Sequence, residues 1–227
     1  MSKLKATIAD LCDSKLISDL QYDGLLGIPL IKKPEKIIIP KNIVPFSQRN
    51  RVTDFDAAIG FYEMDEEFAA ILIAPEAYVD DLSRFPAIIS PDCSLYRPHT
   101  LGCHIANIRR SRLIGCLYQS LGIYVIPQIR WGDERTYTTS ALPEKAAFLG
   151  VEKHSIVAIG TYGCCQHKED KYHLKAGIKA MLDTLEPADV LVYGPMPPAI
   201  FNELQHRAIF VQYDNWTKRV KGGKAHG

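Results

Sequence analysis

Short runs of consecutive apolar residues alternate with longer amphipathic stretches along most of this chain. Ala57-Ala58-Ile59-Gly60-Phe61-Tyr62, Phe85-Pro86-Ala87-Ile88-Ile89, Ile123 to Ile129, Ser155 to Ile159, Val190 to Tyr193 and Ile209-Phe210-Val211 each have the length and apolar content of a strand covered on both faces. Between them the spacing predicts helices over 66–73, 75–83, 100–121, 142–148, a stretch that includes 174–185, and 197–205. The clearest is the fifth. Leu174, Ile178, Met181, Leu182 and Leu185 form one stripe, and Pro187 ends it. Gly122 stops the 100–121 helix, and Pro197 opens the last one.

Buried strands that alternate with helices imply a mostly parallel sheet joined by right-handed crossovers, which is the α/β class. Two architectures fit: an incomplete β/α barrel or an open doubly wound sheet. Eight full units need more chain than these repeats occupy. The first residues differ from the rest. A short amphipathic helix is expected over 3–20, then a strand at Ile37-Ile38-Ile39, with prolines at 29, 34, 40 and 45 breaking the stretch into extended pieces. The expected organisation is an N-terminal arm, 1–51, packed on an α/β domain, 52–216, with a basic flexible tail over 217–227.

Composition narrows the class without naming an activity. Apolar residues are 47% of 227, and 27 Lys and Arg nearly balance 26 Asp and Glu, so no bulk charge draws the chain to nucleic acid or membrane. No apolar run reaches the roughly 18–20 residues of a membrane span. Charges interrupt the place where a signal peptide is apolar, so a cytoplasmic location is expected, the host's cytoplasm if the gene is phage-borne. The six cysteines are expected to be reduced.

In either architecture ligands meet the carboxyl ends of the strands, and here the polar and aromatic residues gather there. Asp92, after a rigid Ser-Pro step, is the candidate catalytic acid/base or metal-binding carboxylate, with a helix or turn cap as the structural alternative. Arg112 and Gln119 are expected to point inward from the 100–121 helix. An Arg112–Asp92 pair then either organises a site for an anion or pins the helix to the sheet. Gln128, Arg130, Trp131, Thr161 and Tyr193 complete the candidate substrate-binding set, Trp131 as a stacking surface. Cys164-Cys165-Gln166-His167 lacks the spacing of a zinc site, so no metal is assigned. Neither the P-loop nor the dinucleotide fingerprint occurs, so no cofactor is assigned.

Several of these residues fall into an ordered pattern. Ser90-Pro91-Asp92-Cys93-Ser94-Leu95-Tyr96 is followed by Asn107, Arg110-Ser111-Arg112 and Gly115, then Gln119, Gly122, Val125-Ile126-Pro127 and Trp131. Thr161 and Gly163, then Tyr193-Gly194, continue it, and Phe61-Tyr62 with Asp65 fits upstream. This pattern resembles an uncharacterised family of phage, plasmid and mobile-element proteins, a domain of unknown function. It departs at Cys93, where the family has an aromatic. The resemblance implies a mobile-element origin and brings no activity. Two functions follow as expectations. One is an enzyme acting on a phosphorylated or nucleic-acid-related substrate at the strand ends. The other is a non-catalytic module that binds DNA or a host protein, using the basic tail around Lys218 to Lys224.

Overall fold

The computed structural model describes residues 20–52, 55–216 and 218. The helix expected at 3–20 and all of the basic tail but Lys218 lie outside them. After a short antiparallel hairpin of β1 (Tyr22–Asp23) and β2 (Ile28–Pro29) come seven parallel strands. These are β3 (Asn42–Pro45), β4 (Ala57–Gly60), β5 (Ala87–Ile89), β6 (Val125–Ile126), β7 (Ile156–Gly160), β8 (Asp189–Tyr193) and β9 (Ile209–Tyr213). Helices α1 (Asp65–Ile73), α2 (Val79–Leu82), α3 (Leu101–Ser120), α4 (Glu134–Tyr137), α5 (Lys168–Leu185) and α6 (Pro198–Phe201) lie between them.

The strands pair in chain order, β3-β4-β5-β6 in one ladder and β7-β8-β9 in the next. Pro127 marks the boundary. It has no N–H to continue the ladder, so β6 stops at Ile126. Pairing resumes one residue later on the other side. Ala158 N–H donates to the Pro127 carbonyl (2.9 Å), and Ile129 N–H donates to the Ala158 carbonyl (2.8 Å).

Sequential order without a reversal separates the two architectures left open by the sequence, because a doubly wound sheet reverses its strand order at a switch point. Every strand also sends side chains into one shared interior: Ile43, Ala58, Ile89, Ile126, Ala158, Leu191 and Tyr213 come from seven different strands. The alternate residues, such as Val44, Ile59, Ile88 and Val125 on one side and Val157, Ile159 and Val190 on the other, pack under the helices. That is why each strand is apolar throughout. The curve does not close. No ladder joins β9 to β3 among the described residues, and the Tyr213 hydroxyl donates to the Pro40 carbonyl (2.7 Å) instead. The fold is α/β and parallel, an incomplete β/α barrel.

Local expectations shifted in several places. Ile37 and Ile39 stay partly exposed in irregular chain, and the strand forms at Asn42–Pro45, where Ile43 and Val44 find the two apolar layers. The 142–148 helix reduces to one turn at Ala146–Phe148, and α4 forms at Asp133, whose carboxylate caps the Arg135 N–H.

Arg112 is inside, 1% exposed, but its partner is not Asp92. Its guanidinium donates to three backbone carbonyls, Gln128 (2.5 Å), Leu149 (3.0 Å) and Ala147 (3.1 Å). Burial pushes its pKa down to about 10, which leaves it charged at neutral pH. Gln119 sits on the outer side of α3, where its amide accepts from the Lys32 N–H and donates to the Lys32 carbonyl, both at 2.9 Å. Both residues therefore tie chain segments to α3. Replacing Arg112 with Met removes all three donors at similar volume, and each stranded buried acceptor costs about 1–3 kcal/mol. Arg112→Met should lower the unfolding free energy in urea by about 3–5 kcal/mol, and Arg112→Lys should recover less than half of that, since an ammonium lacks the planar fork.

Candidate functional site

Adjacent parallel strands deliver their next residues to one level. The segment after β5 brings Ser90 and Asp92, the segment after β6 brings Gln128 and Arg130, and the one after β4 brings Tyr62. Asp92 is 6% exposed, and its two oxygens are held separately. Arg130 Nη1 meets Oδ2 at 2.5 Å, and Gln128 Nε2 donates to Oδ1 at 3.1 Å. The Tyr62 hydroxyl donates to Gln128 Oε1 (2.7 Å), and its ring stacks on Tyr193 with centroids 4.5 Å apart and planes 7° off parallel. Gly160, the last residue of β7, leaves space for this group. A Cβ there would stand 3.0 Å from the Tyr62 ring and 3.6 Å from Asp92 Oδ2.

Burial raises the Asp92 carboxyl above its ordinary value, and Arg130 and Gln128 pull it partly back. Asp92 in turn raises the Arg130 guanidinium. Arg130 reaches solvent, with 31% of its side chain exposed.

Beside this network a cavity of about 560 Å³ opens over the ends of β5, β6 and β7. Its walls are the 95–99, 129–132 and 160–164 loops and the first turns of α5. Arg130 lines it, and so do Trp131, Tyr162 and His173. Trp131 is fixed from two sides. Its indole N–H donates to the His173 carbonyl (2.9 Å), and Gly177 lies so close that a Cβ would fall 2.1 Å from the ring. Arg97 also lines the cavity and pairs with Asp170 at 2.6 Å. The His173 ring takes Tyr137 as its Nδ1 partner (2.9 Å), and Glu169 lies 4.0 Å from its Nε2. Burial pushes the Cys164 thiol up, which keeps this cavity cysteine protonated near neutral pH.

The structure therefore brings together Asp92, Gln128, Arg130 and, by stacking through Tyr62, Tyr193, with Trp131 on the neighbouring cavity wall. Arg112 stays out of the cavity lining and touches this group only through the Gln128 carbonyl, and Gln119 lies apart on the outer side of α3. Thr161 is fully buried and donates to the Pro195 carbonyl (2.7 Å), a loop-to-loop tie beneath the cavity. Sequence reasoning passed over Arg97 and His173, and gave Tyr96 a place in the family pattern but none in the site. Arg97 directly follows the Ser-Pro-Asp segment, which was a usable signal. His173 sits beside the core stripe of α5 and had none.

This is the mouth of an incomplete parallel β/α barrel, with a buried carboxylate holding an arginine at the edge of a cavity. The chain belongs to the family described as Domain of unknown function (DUF4417), which matches residues 20–214. It is similar to the Gene 1 protein of Mycobacterium phage L5, 28% identical over 170 residues that cover 75% of this chain and 70% of that protein. It is equally similar to the Gene 1 protein of Mycobacterium phage D29, 28% over 159 residues, 69% of this chain. The match spans only 56% of the D29 protein's length. No solved structure matches the chain. No helix among the described residues is long and apolar enough to cross a membrane.

The raised Asp92 carboxyl has a consequence for stability. The folded protein keeps this proton at pH values where the unfolded chain, with an ordinary value near 3.8, has lost it. Its stabilising contribution is complete below that value and is lost as pH rises through the folded value. The unfolding free energy of wild type minus that of Asp92→Asn, from urea melts between pH 4 and pH 7, should fall as pH rises. Gly177→Ala should expose the Trp131 indole, read as a red shift of its fluorescence, and lower the melting temperature despite alanine's better helix propensity.

Proposed function

We propose that this protein is an enzyme acting on a phosphorylated, base-bearing small molecule, with the cavity over the ends of β5, β6 and β7 as its active site. The observation that carries the reading is Arg130. A guanidinium has five N–H donors, and one nitrogen is engaged by a buried carboxylate while the side chain still reaches the cavity. Such a group is preoriented for a planar or tetrahedral anion. Trp131, held edge and face, offers a rigid wall for a base or sugar. The position at the strand ends agrees with where ligands bind in parallel β/α folds.

In this reading Asp92 acts through Arg130 rather than on the ligand, because both of its oxygens already have partners and little of it meets solvent. His173 is the proton-transfer candidate. It lines the cavity, Tyr137 fixes its Nδ1 side, and Nε2 remains for a ligand.

Isothermal titration of the protein with ADP tests the site. Binding is expected for wild type, weakened at least tenfold in Arg130→Ala, since a charge-assisted hydrogen bond is worth about 1.5–3 kcal/mol. Arg130→Lys should not restore it. Asp92→Asn should weaken it less than Arg130→Ala does. Equal affinity in wild type and Arg130→Ala, or no heat with ADP, AMP or pyrophosphate, would overturn the reading.

A further inference from the structure

A single tyrosine left in water needs no explanation, but three around one opening do. Tyr96 is 56% exposed, Tyr162 70% and Tyr172 65%. Tyr96 and Tyr162 line the cavity from two different loops. Tyr172, on α5, meets the ring of cavity-lining His173 nearly at right angles, with centroids 5.2 Å apart and planes at 78°. Tyr96 does the same with His99, at 5.3 Å and 74°. All three keep more than half of their surface in solvent, where an incoming group can cover it.

Cations stand nearby. Lys168 and Lys171 are exposed on the first turn of α5, next to Tyr172, while Arg97 and Arg130 stand in the cavity itself. Glu169 and Asp170 oppose them. Asp170 is taken up by Arg97 and by the His167 N–H at the start of α5, while Glu169, 4.0 Å from Arg97, and Glu134, 3.9 Å from His173, stay largely in solvent. Exposed aromatic rings beside basic groups, at the mouth of a cavity proposed above to take an anion, suit a ligand that continues beyond the cavity with alternating bases and phosphates.

We propose that the ligand is single-stranded nucleic acid, with one nucleotide in the cavity and the next bases stacked on Tyr162 and Tyr172 at the rim. This rests on the proposed function and extends it from a free nucleotide to a strand. Stacking of this kind tolerates any base, because every base has a π-face. It also requires the strand to be unpaired.

The test is fluorescence anisotropy of the full chain with 3′-labelled oligo-dT of eight nucleotides, competed by unlabelled dTMP and by a duplex of the same length. The oligonucleotide should bind at least tenfold more tightly than dTMP and with a steeper salt dependence, and the duplex should compete poorly. Tyr172→Ala, at the outer rim, should weaken oligonucleotide binding about tenfold and leave dTMP binding unchanged. Equal affinity for dTMP and the oligonucleotide, with Arg130→Ala still weakening dTMP, would overturn the strand proposal and leave the nucleotide site standing. Equal binding of duplex and single strand, untouched by Tyr172→Ala, would also overturn it. Binding of neither dTMP nor oligonucleotide would remove both.

Discussion

The carbonyl of Gln128 points into the guanidinium of Arg112, and the position of that one peptide decides the geometry of the barrel mouth. Pro127 has just ended β6, so the ladder cannot hold the chain there. Arg112 holds it from behind, with its other donors on Ala147 and Leu149. From the front, the Ser90 hydroxyl accepts the Gln128 N–H at 2.9 Å. The Gln128 side chain then bridges Tyr62 and Asp92, and two residues on comes Arg130. A charged side chain buried among carbonyls rather than beside a carboxylate is an expensive way to fix a loop, because none of its partners carries a full opposite charge. Its merit is geometric. Three carbonyls in three directions locate a planar fork more tightly than one carboxylate would.

The unclosed barrel has its own logic. The interior is filled by small and branched side chains, with Tyr193 and Tyr213 on the last two strands. The Tyr213 hydroxyl then satisfies the Pro40 carbonyl on the far side of the gap. β9 pays for its edge position with exposure, Ile209 being 64% accessible. The cavity lies over β5, β6 and β7, in the middle of the strand order and away from that gap, where neighbours on both sides keep the strand ends in register.

Much of this was legible. Every strand from Ala57 onward announced itself as an apolar run, because both of its faces are covered, and the chain order of strands and helices fixed the class. The sequence could not choose between a sequential and a reversed strand order, since both bury the same residues. It placed Arg112 inside correctly, because that residue shares a helix face with Leu101, Ile105 and Ile108. It could not supply the partner. A search for the nearest acid in sequence finds Asp92, whereas two of the carbonyls that Arg112 uses lie 35 and 37 residues away and the third, that of Gln128, 16 away, and a backbone carbonyl has no side-chain signature. Arg130 had the stronger claim on Asp92 for a reason visible only in three dimensions: β5 and β6 are neighbours, and residues at equal height beyond neighbouring parallel strands meet. β3 was missed for the opposite reason. Its four residues are flanked by prolines, and those prolines read as breaks although Pro45 itself ends the strand.

The charges around the cavity are arranged so that hydrogen-bond donors outnumber net charge. Arg130 is matched by Asp92 and Arg97 by Asp170, each at a distance where the pair is close to neutral as seen from outside. Neither arginine spends its whole fork on its carboxylate. The field reaching into solvent is therefore weak, while the donors offered at short range are many and fixed in direction. A site built this way gains little from long-range attraction and much from shape, because an anion must approach along the remaining N–H vectors to benefit. This explains why the aromatic walls matter: with steering small, contact area and stacking must supply the selectivity that net charge does not.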